Sequence, residues 1–133
     1  MKGGKHWIDF ADRDLEAAKS LLENEYLANV VLFHCQQCIE KCLKAILEEN
    51  NIEVPKIHSV VRLFGILTEN IELEFKIDED ALNLVDDIYI DTRYPSGIGL
   101  LPSGFPSKDE AVEVLNVAQN IYDNVRLYLK RNE

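Results

Sequence analysis

Apolar residues recur every three or four positions along most of the chain, which is the spacing that places them on one face of an α-helix. The first stripe predicts a helix from about Lys5 to Asn24, and the second predicts one from about Leu27 to Asn50 or Asn51. The stripes consist of Trp7, Ala11, Leu15, Ala18 and Leu22, and then of Leu27, Val31, Cys35, Cys38, Cys42 and Ala45. Both helices are expected to bury these faces in a common core.

A third and a fourth helix follow from the same spacing and from residues that favour helix ends. Ser59 is a suitable N-cap for a helix that runs to about Asn70, and Asp78 is one for the next helix. The fourth helix is predicted to stop at Tyr94, because Pro95 disfavours helical geometry in the residue before it. Their inward positions are Val60, Leu63, Phe64 and Leu67, and then Ala81, Val85 and Ile88.

A loop rich in Pro and Gly separates the last helix from the others. It spans residues 95–106 and keeps four apolar side chains, which suggests a docking or partner surface: Ile98, Leu100, Leu101 and Phe105. Ser107 and Glu110 then form the S-x-x-E pattern of a capping box that begins the last helix. The chain is therefore predicted to be one domain, 1–133, of the all-α class, an antiparallel up-and-down bundle of four to five helices.

Composition and charge exclude several classes of protein. An apolar fraction of 47% with 29% charged residues is ordinary for a soluble globular chain, and 14 basic against 24 acidic residues give a net charge of −10. This charge repels a phosphate backbone, so RNA is a disfavoured partner. Neither a membrane span nor a signal peptide is visible, which predicts a cytoplasmic protein without membrane contact.

The three cysteines lie within eight residues at helical spacing. Cys35, Cys38 and Cys42 could bind zinc together with His34, but structural zinc usually needs a second ligand pair from elsewhere in the chain. Cysteine is also among the most buried residue types, and this spacing is that of a core seam. We therefore expect core packing, with no metal and no cofactor.

The other face of the same helix carries polar side chains at spacings of three and four. His34, Gln37, Lys41 and Lys44 place an imidazole, an amide and two ammonium groups together. One interpretation is a solvated face, in which Glu40 and Lys44 form a helix-stabilising pair. The other is the wall of a ligand site.

A second group of polar residues stands near the end of the fourth helix. Asp86, Tyr89 and Arg93 share one helical face, and Tyr94 and Pro95 follow at the start of the loop. A guanidinium group at this position could bind a phosphate or a carboxylate through two parallel hydrogen bonds. The two polar groups could therefore belong to one site.

These motifs, in this order, resemble the HEPN family (higher eukaryotes and prokaryotes nucleotide-binding domain), and the resemblance covers nearly the whole chain. They are Asp14-Leu15, Gln37-x-x-Glu40-Lys41-x-x-Lys44, His58 at the start of a helix, and Tyr89-x-x-x-Arg93-Tyr94-Pro95. The resemblance implies an all-α up-and-down bundle, commonly a homodimer, that often works beside a minimal nucleotidyltransferase on the same or a neighbouring chain.

Many members of that family are metal-independent ribonucleases that use an Arg and a His separated by four to six residues. Arg93 matches the Arg, but positions 98, 99 and 100 hold Ile, Gly and Leu. The general acid or base of that reaction is therefore missing from its usual place. His34 or His58 could replace it in space, which would be a different mechanism.

Three functions remain in view. The first is a non-catalytic module that binds a nucleotide or a similar substrate and pairs with a nucleotidyltransferase, as in toxin–antitoxin systems. Its ligand site would comprise His34, Gln37, Lys41, Lys44, Tyr89, Arg93 and Tyr94. The second is a ribonuclease toxin that acts through Arg93 and a displaced histidine. The third is a structural module for dimerisation or partner docking, in which Arg93 and Asp86 or Glu40 form ion pairs.

Overall fold

The computed structural model describes residues 3–93 and 106–132, and for residues 90–93 it describes the backbone alone. Five α-helices and one 3₁₀ turn, Glu25–Leu27, occur in these ranges, with no strand among them. The helices are α1 Gly4–Leu21, α2 Ala28–Glu49, α3 Val60–Asn70, α4 Glu79–Arg93 and α5 Lys108–Arg131. The predicted all-α class is confirmed.

Helix α1 runs antiparallel to α2. Trp7, near the start of α1, lies beside Lys44, near the end of α2, whereas Asp14, further along α1, contacts His34 near the start of α2. Each of the two helices also packs against α5. This arrangement brings the polar residues of α1 and α2 to one interface.

Helix α5 runs alongside α2 in the same direction. The backbone N–H of Lys108 donates to Glu25 at 2.9 Å, just before α2 begins, and Asn50 donates to the hydroxyl of Tyr128 at 3.1 Å, just after α2 ends. Because α2 also packs against α3 and α4, it is the central helix of the bundle.

The central position of α2 explains the state of its cysteines. Cys35, Cys38 and Cys42 are fully buried, as the core interpretation predicted, and all three are free thiols. Burial raises the pKa of Cys35 from 9.0 to about 12, and the neighbouring Cys38 and Asp14 add to the effect. Burial likewise raises the pKa of Cys42 well above its usual value. These thiols therefore behave as small apolar side chains.

Several helix ends agree with the sequence signals. Ser59 caps α3 by accepting a hydrogen bond from the backbone N–H of Arg62 at 3.1 Å, and Ser107 and Glu110 form the complete capping box of α5. After α2, Asn51 adopts a left-handed conformation with φ 58°, which asparagine tolerates better than most residues. Each of these signals acts within a few residues of the helix end that it marks.

One helix boundary and one inward position differ from the prediction. Helix α1 ends at Leu21 instead of Asn24, because the Asn24 side chain accepts a hydrogen bond from the backbone N–H of Tyr26 and caps the 3₁₀ turn. In α4, Leu82 is buried whereas Ala81 is only partly buried. The four predicted inward positions of α3 are all buried.

Residues 95–105 of the predicted 95–106 loop, its four apolar side chains and Tyr94 lie outside the described residues. None of the helices in the described ranges is long and apolar enough to cross a membrane.

Candidate functional site

A buried carboxylate on α1 holds two of the predicted site residues. One oxygen of Asp14 lies 2.9 Å from Nδ1 of His34, and the other accepts a hydrogen bond from Nζ of Lys41 at 2.5 Å. The His34 and Lys41 side chains remain about one quarter exposed, at 27% and 23%. We call these three residues the Asp14 trio. It brings an imidazole and an ammonium group to the surface beside each other.

The carboxylate also fixes the proton arrangement of His34. An ionised carboxylate can only accept hydrogen bonds, so Nδ1 carries the hydrogen and donates it to Asp14. In the neutral imidazole, Nε2 then keeps its lone pair. Asp14 therefore orients the ring and leaves an acceptor on the opposite edge.

A second carboxylate, on α2, has partners of the same types. One oxygen of Glu40 accepts from Nζ of Lys44 at 2.9 Å, and the other lies 3.1 Å from Nδ1 of His58. Glu40 and Lys44 are buried, whereas 64% of the His58 side chain is exposed. We call these three residues the Glu40 trio. Lys44 also lies over the ring of Trp7, 5.5 Å from its centroid, an attractive cation–π arrangement.

Two glutamines extend the network around Glu40. Nε2 of the buried Gln36 donates to Glu40 at 3.2 Å and to the main-chain carbonyl of His58 at 2.7 Å. Gln37, a predicted site residue, donates to Oε1 of Gln36 at 2.8 Å. Gln36 is not among the residues predicted for the site, although its spacing of four from Glu40 and of eight from Lys44 is a signal that could have shown it.

The predicted polar stripe of α2 is therefore divided between two carboxylates. His34 and Lys41 face Asp14 on α1, whereas Lys44 turns toward Glu40 and Trp7 and is buried. With neutral histidines, each trio has a net charge of zero, because each carboxylate is paired with one lysine. The two lysines thus differ in their access to a ligand, although the sequence pattern treats them alike.

An aromatic stack joins the Asp14 trio to α4. The rings of Phe33 and Tyr89 are stacked, with centroids 6.2 Å apart and an interplanar angle of 19°. Phe33 also meets the ring of His34 edge to face at 5.5 Å. Arg93 follows Tyr89 by one helical turn, but its side chain lies outside the described part of the chain. Phe33 thus contacts both the ring of His34 and the ring of Tyr89.

Asp86 has a structural role at the start of α3. It shares a helical face with Tyr89 in the sequence pattern. Its carboxylate accepts hydrogen bonds from the Ser59 hydroxyl at 2.7 Å and from the backbone N–H groups of Val60 at 2.8 Å and Val61 at 3.2 Å. A carboxylate is favourable at a helix N-terminus, where backbone N–H groups have no partner within the helix. Asp86 therefore ties α4 to the start of α3, next to His58.

The model of the HEPN domain family matches residues 5–128. The chain belongs to the HEPN family. Within the described residues, the side chains of this HEPN protein form no group of three or more His, Cys, Asp or Glu arranged to hold a metal ion.

Individual relatives agree with this assignment. The HEPN chain is 33% identical to a protein of Methanocaldococcus jannaschii named "Putative toxin MJ1304", over 98% of this chain and 90% of the relative. It is similar to the crystal structure of TT1696 from Thermus thermophilus, with 27% identity, a TM-score of 0.77, and coverage of 95% of this chain and 98% of the other. The crystal structure of ST0689, an archaeal HEPN homologue, matches over the full length of both chains, with 27% identity and a TM-score of 0.71.

Proposed function

We propose that this HEPN chain is a nucleotide-binding, non-catalytic module that works with a minimal nucleotidyltransferase in a toxin–antitoxin-like pair. The observation that carries the nucleotide site is the Asp14 trio beside the stacked Phe33 and Tyr89 rings. This arrangement combines an ammonium group, an oriented imidazole and an aromatic surface. The toxin name of the Methanocaldococcus relative supports the biological setting.

The aromatic pair suits a nucleobase. Base stacking on an aromatic side chain contributes about 1–3 kcal/mol and tolerates any base, because every base has a π-face. Phe33 and Tyr89 are both partly exposed, so one ring can meet a base while the other supports it. We therefore assign Tyr89 to base stacking, whereas Tyr94 stays a site residue predicted from the sequence.

Lys41 is the better placed of the two lysines for a phosphate. An ammonium group has three donors, and Asp14 accepts from Lys41 Nζ at 2.5 Å. The side chain of Lys44 is only 7% exposed, so we assign it an indirect role through Glu40. Arg93 and Gln37 remain predicted members of the site, Arg93 for the phosphate and Gln37 for orientation.

Isothermal titration with nucleoside mono- and triphosphates tests the site. Wild-type protein should bind, and a Lys41→Ala, Arg93→Ala variant should bind at least tenfold more weakly, because charge-assisted hydrogen bonds contribute about 1.5–3 kcal/mol each. A Lys19→Ala, Lys130→Ala variant removes two exposed positive charges elsewhere and serves as the control. Equal binding by wild type and the first variant would overturn the site assignment.

The proposed assembly has separate tests. A homodimer in the cytoplasm is the expected state, and light scattering at micromolar concentration should give twice the mass of one chain. Co-purification from the native source, followed by mass spectrometry, should recover a nucleotidyltransferase. A mass of one chain would contradict the dimer but would leave the nucleotide site to its own test.

A second candidate is a ribonuclease toxin, and the orientation of His34 favours it. With Nδ1 bound to Asp14, Nε2 can take the proton of a ribose 2′-hydroxyl while that oxygen attacks phosphorus and the 5′-oxygen leaves. RNA cleavage in the presence of a chelator should then be lost on Arg93→Ala and reduced on His34→Ala or His58→Ala. Intact RNA after incubation with the pure protein would count against this function.

A third candidate is a structural module, favoured by the ion pairs within the two trios. Asp14 pairs with Lys41 and Glu40 pairs with Lys44, so these charges already satisfy one another. In that case neither nucleotides nor RNA should bind, and variants of the trios should change only stability or association. Nucleotide binding with the variant pattern described above would exclude this function.

A further inference from the structure

His58 is an exposed side chain that is held at two points. Its Nδ1 lies 3.1 Å from Oε1 of Glu40, and its main-chain carbonyl accepts a hydrogen bond from Gln36 at 2.7 Å. Gln36 also donates to the same oxygen of Glu40, at 3.2 Å. Both the backbone and the ring of His58 are therefore fixed, while 64% of its side chain faces solvent.

The groups that hold His58 are costly to bury. The Glu40 and Lys44 side chains are only 5% and 7% exposed. Replacing a buried ion pair by apolar side chains of similar volume is often neutral or stabilising, so the pair needs another explanation than stability. Its visible effect is to orient an imidazole at the surface. A hydrogen bond at one ring nitrogen sets the role of the other, and supporting hydrogen bonds of this kind hold binding residues in place.

Two residues that hold the His58 segment, one on α2 and one on α4, each stand three positions from a ring of the aromatic stack. On α2, Gln36 follows Phe33 by three residues, and on α4, Asp86 precedes Tyr89 by three residues. Gln36 contacts His58 itself, and Asp86 contacts the residue after it. Three residues of helix correspond to roughly 4.5 Å along the axis. The groups that hold the His58 segment therefore lie about one helical turn from the stacked rings on both α2 and α4, and we place the sugar of a stacked base on that side.

The position of the hydrogen on the His58 ring determines which kind of ligand group Nε2 can bind. Glu40 can only accept, so Nδ1 carries the hydrogen and Nε2 of the neutral ring is an acceptor. Within the described residues, no hydrogen bond to Nε2 occurs. Beside the base, a nucleotide offers donors only in its ribose hydroxyls, since ionised phosphate oxygens only accept.

We propose that Nε2 of His58 accepts a hydrogen bond from a ribose hydroxyl of the bound nucleotide, so that the site selects ribonucleotides over deoxyribonucleotides. This inference rests on the nucleotide-binding function proposed above and names its substrate class. It adds His58 to the predicted ligand-binding residues as a specificity-determining one. Gln36 and Glu40 act through it as positioning residues.

The test compares ATP, 2′-deoxy-ATP and 3′-deoxy-ATP by isothermal titration. Wild-type protein should bind one of the two deoxynucleotides roughly 5- to 30-fold more weakly than ATP, the effect of one lost hydrogen bond. The deoxynucleotide that binds more weakly identifies the hydroxyl that His58 contacts. A His58→Asn variant keeps a donor at the position of Nδ1 but has no group at Nε2, so ATP binding should fall to that of the deoxynucleotide and the preference should disappear. His6→Ala, at an exposed histidine of α1, should keep the preference.

Each other outcome contradicts the inference in a distinguishable way. If His58→Asn and His58→Ala weaken all three nucleotides equally, or leave the preference intact, the histidine has only a structural role. If His34→Ala removes the preference instead, the hydroxyl is read by the Asp14 trio. Absence of binding by all three nucleotides would overturn both this inference and the proposed function.

Discussion

The Asp14 trio and the Glu40 trio use the same three kinds of side chain but differ in which one reaches the surface. Each carboxylate holds a lysine on one oxygen and Nδ1 of a histidine on the other. In the Asp14 trio, lysine and histidine are both about one quarter exposed. In the Glu40 trio, the lysine is buried and the histidine is mostly exposed.

This difference shows that the contribution of an ion pair to stability depends on how deeply the pair is buried. A pair with a partly exposed lysine contributes less than a fully buried one, because water screens its charges, so we expect this lysine to stay available to a ligand. A buried pair strongly resists the loss of one partner, because the other charge is left without compensation. The Asp14 trio therefore resembles a binding surface, whereas the Glu40 trio resembles a support for one histidine.

The largest expected effect comes from breaking the buried pair. Glu40→Ala leaves the Lys44 ammonium buried without its carboxylate and should lower the free energy of unfolding by about 3–5 kcal/mol. Urea denaturation followed by circular dichroism measures it. A Glu40→Leu, Lys44→Met variant removes both charges and should restore most of the loss. If this double variant were as unstable as Glu40→Ala, the unpaired charge of Lys44 would not be the cause of the lost stability.

The next effect concerns the cysteine seam, where burial raises the pKa of the Cys35 thiol. Because the pKa of Cys35 is raised from 9.0 to about 12, the unfolded chain loses this proton between those values while the folded chain keeps it. The free energy of unfolding should therefore fall as the pH rises above 9, by about 1.4 kcal/mol per pH unit for each such thiol. Below pH 9 this contribution is fully present.

Urea denaturation at pH 8, 9 and 10 under reducing conditions measures this slope. Cys35→Ala should make it shallower by the contribution of one thiol, whatever the variant does to stability at pH 8. Equal slopes in wild type and variant would show that the Cys35 thiol ionises as readily in the folded chain as in the unfolded one.

A smaller effect is expected where α4 supports the segment that carries His58. Asp86→Ala removes three hydrogen bonds at the start of α3 and should cost about 1–2 kcal/mol of unfolding free energy, as the loss of a helix cap does. Asp87→Ala removes the same charge from the neighbouring exposed position and should stay within about 0.5 kcal/mol of wild type. Equal effects of the two substitutions would indicate that only net charge matters.

The smallest effect should come from the more exposed pair. Asp14→Ala should cost about 1 kcal/mol, because Lys41 and His34 can turn toward water when their carboxylate is removed. Comparison with Glu40→Ala in the same denaturation experiment tests the contrast between the trios directly. A loss as large as that of Glu40→Ala would show that the depth of the pair does not decide its contribution.

The sequence predicted the features that depend on neighbouring residues. Ser59, Ser107 and the asparagines after α2 mark helix ends through hydrogen bonds to residues at most four positions away. The cysteine seam was correctly assigned to the core, because spacing alone places it on one face. Where a local side-chain bond competed with the helix, as at Asn24, the boundary moved by three residues.

The partners of the polar residues could not be predicted in the same way. Lys41 meets Asp14 across 27 residues, and Ser59 meets Asp86 across another 27. Such pairs depend on how two helices are rotated against each other, and no local spacing contains that rotation. This is why one polar stripe in the sequence became two separate trios in the structure.

Helices and their buried faces could be predicted from the amino-acid sequence, because periodicity and caps act over one or two turns, and the order of the motifs carried the resemblance to the HEPN family. The accessibility of Lys41, the burial of Lys44 and the orientation of His34 and His58 by carboxylates became visible in the folded chain. Burial and hydrogen-bond partners belong to the packing of α1, α2 and the start of α3, and a side chain acquires its chemistry from them.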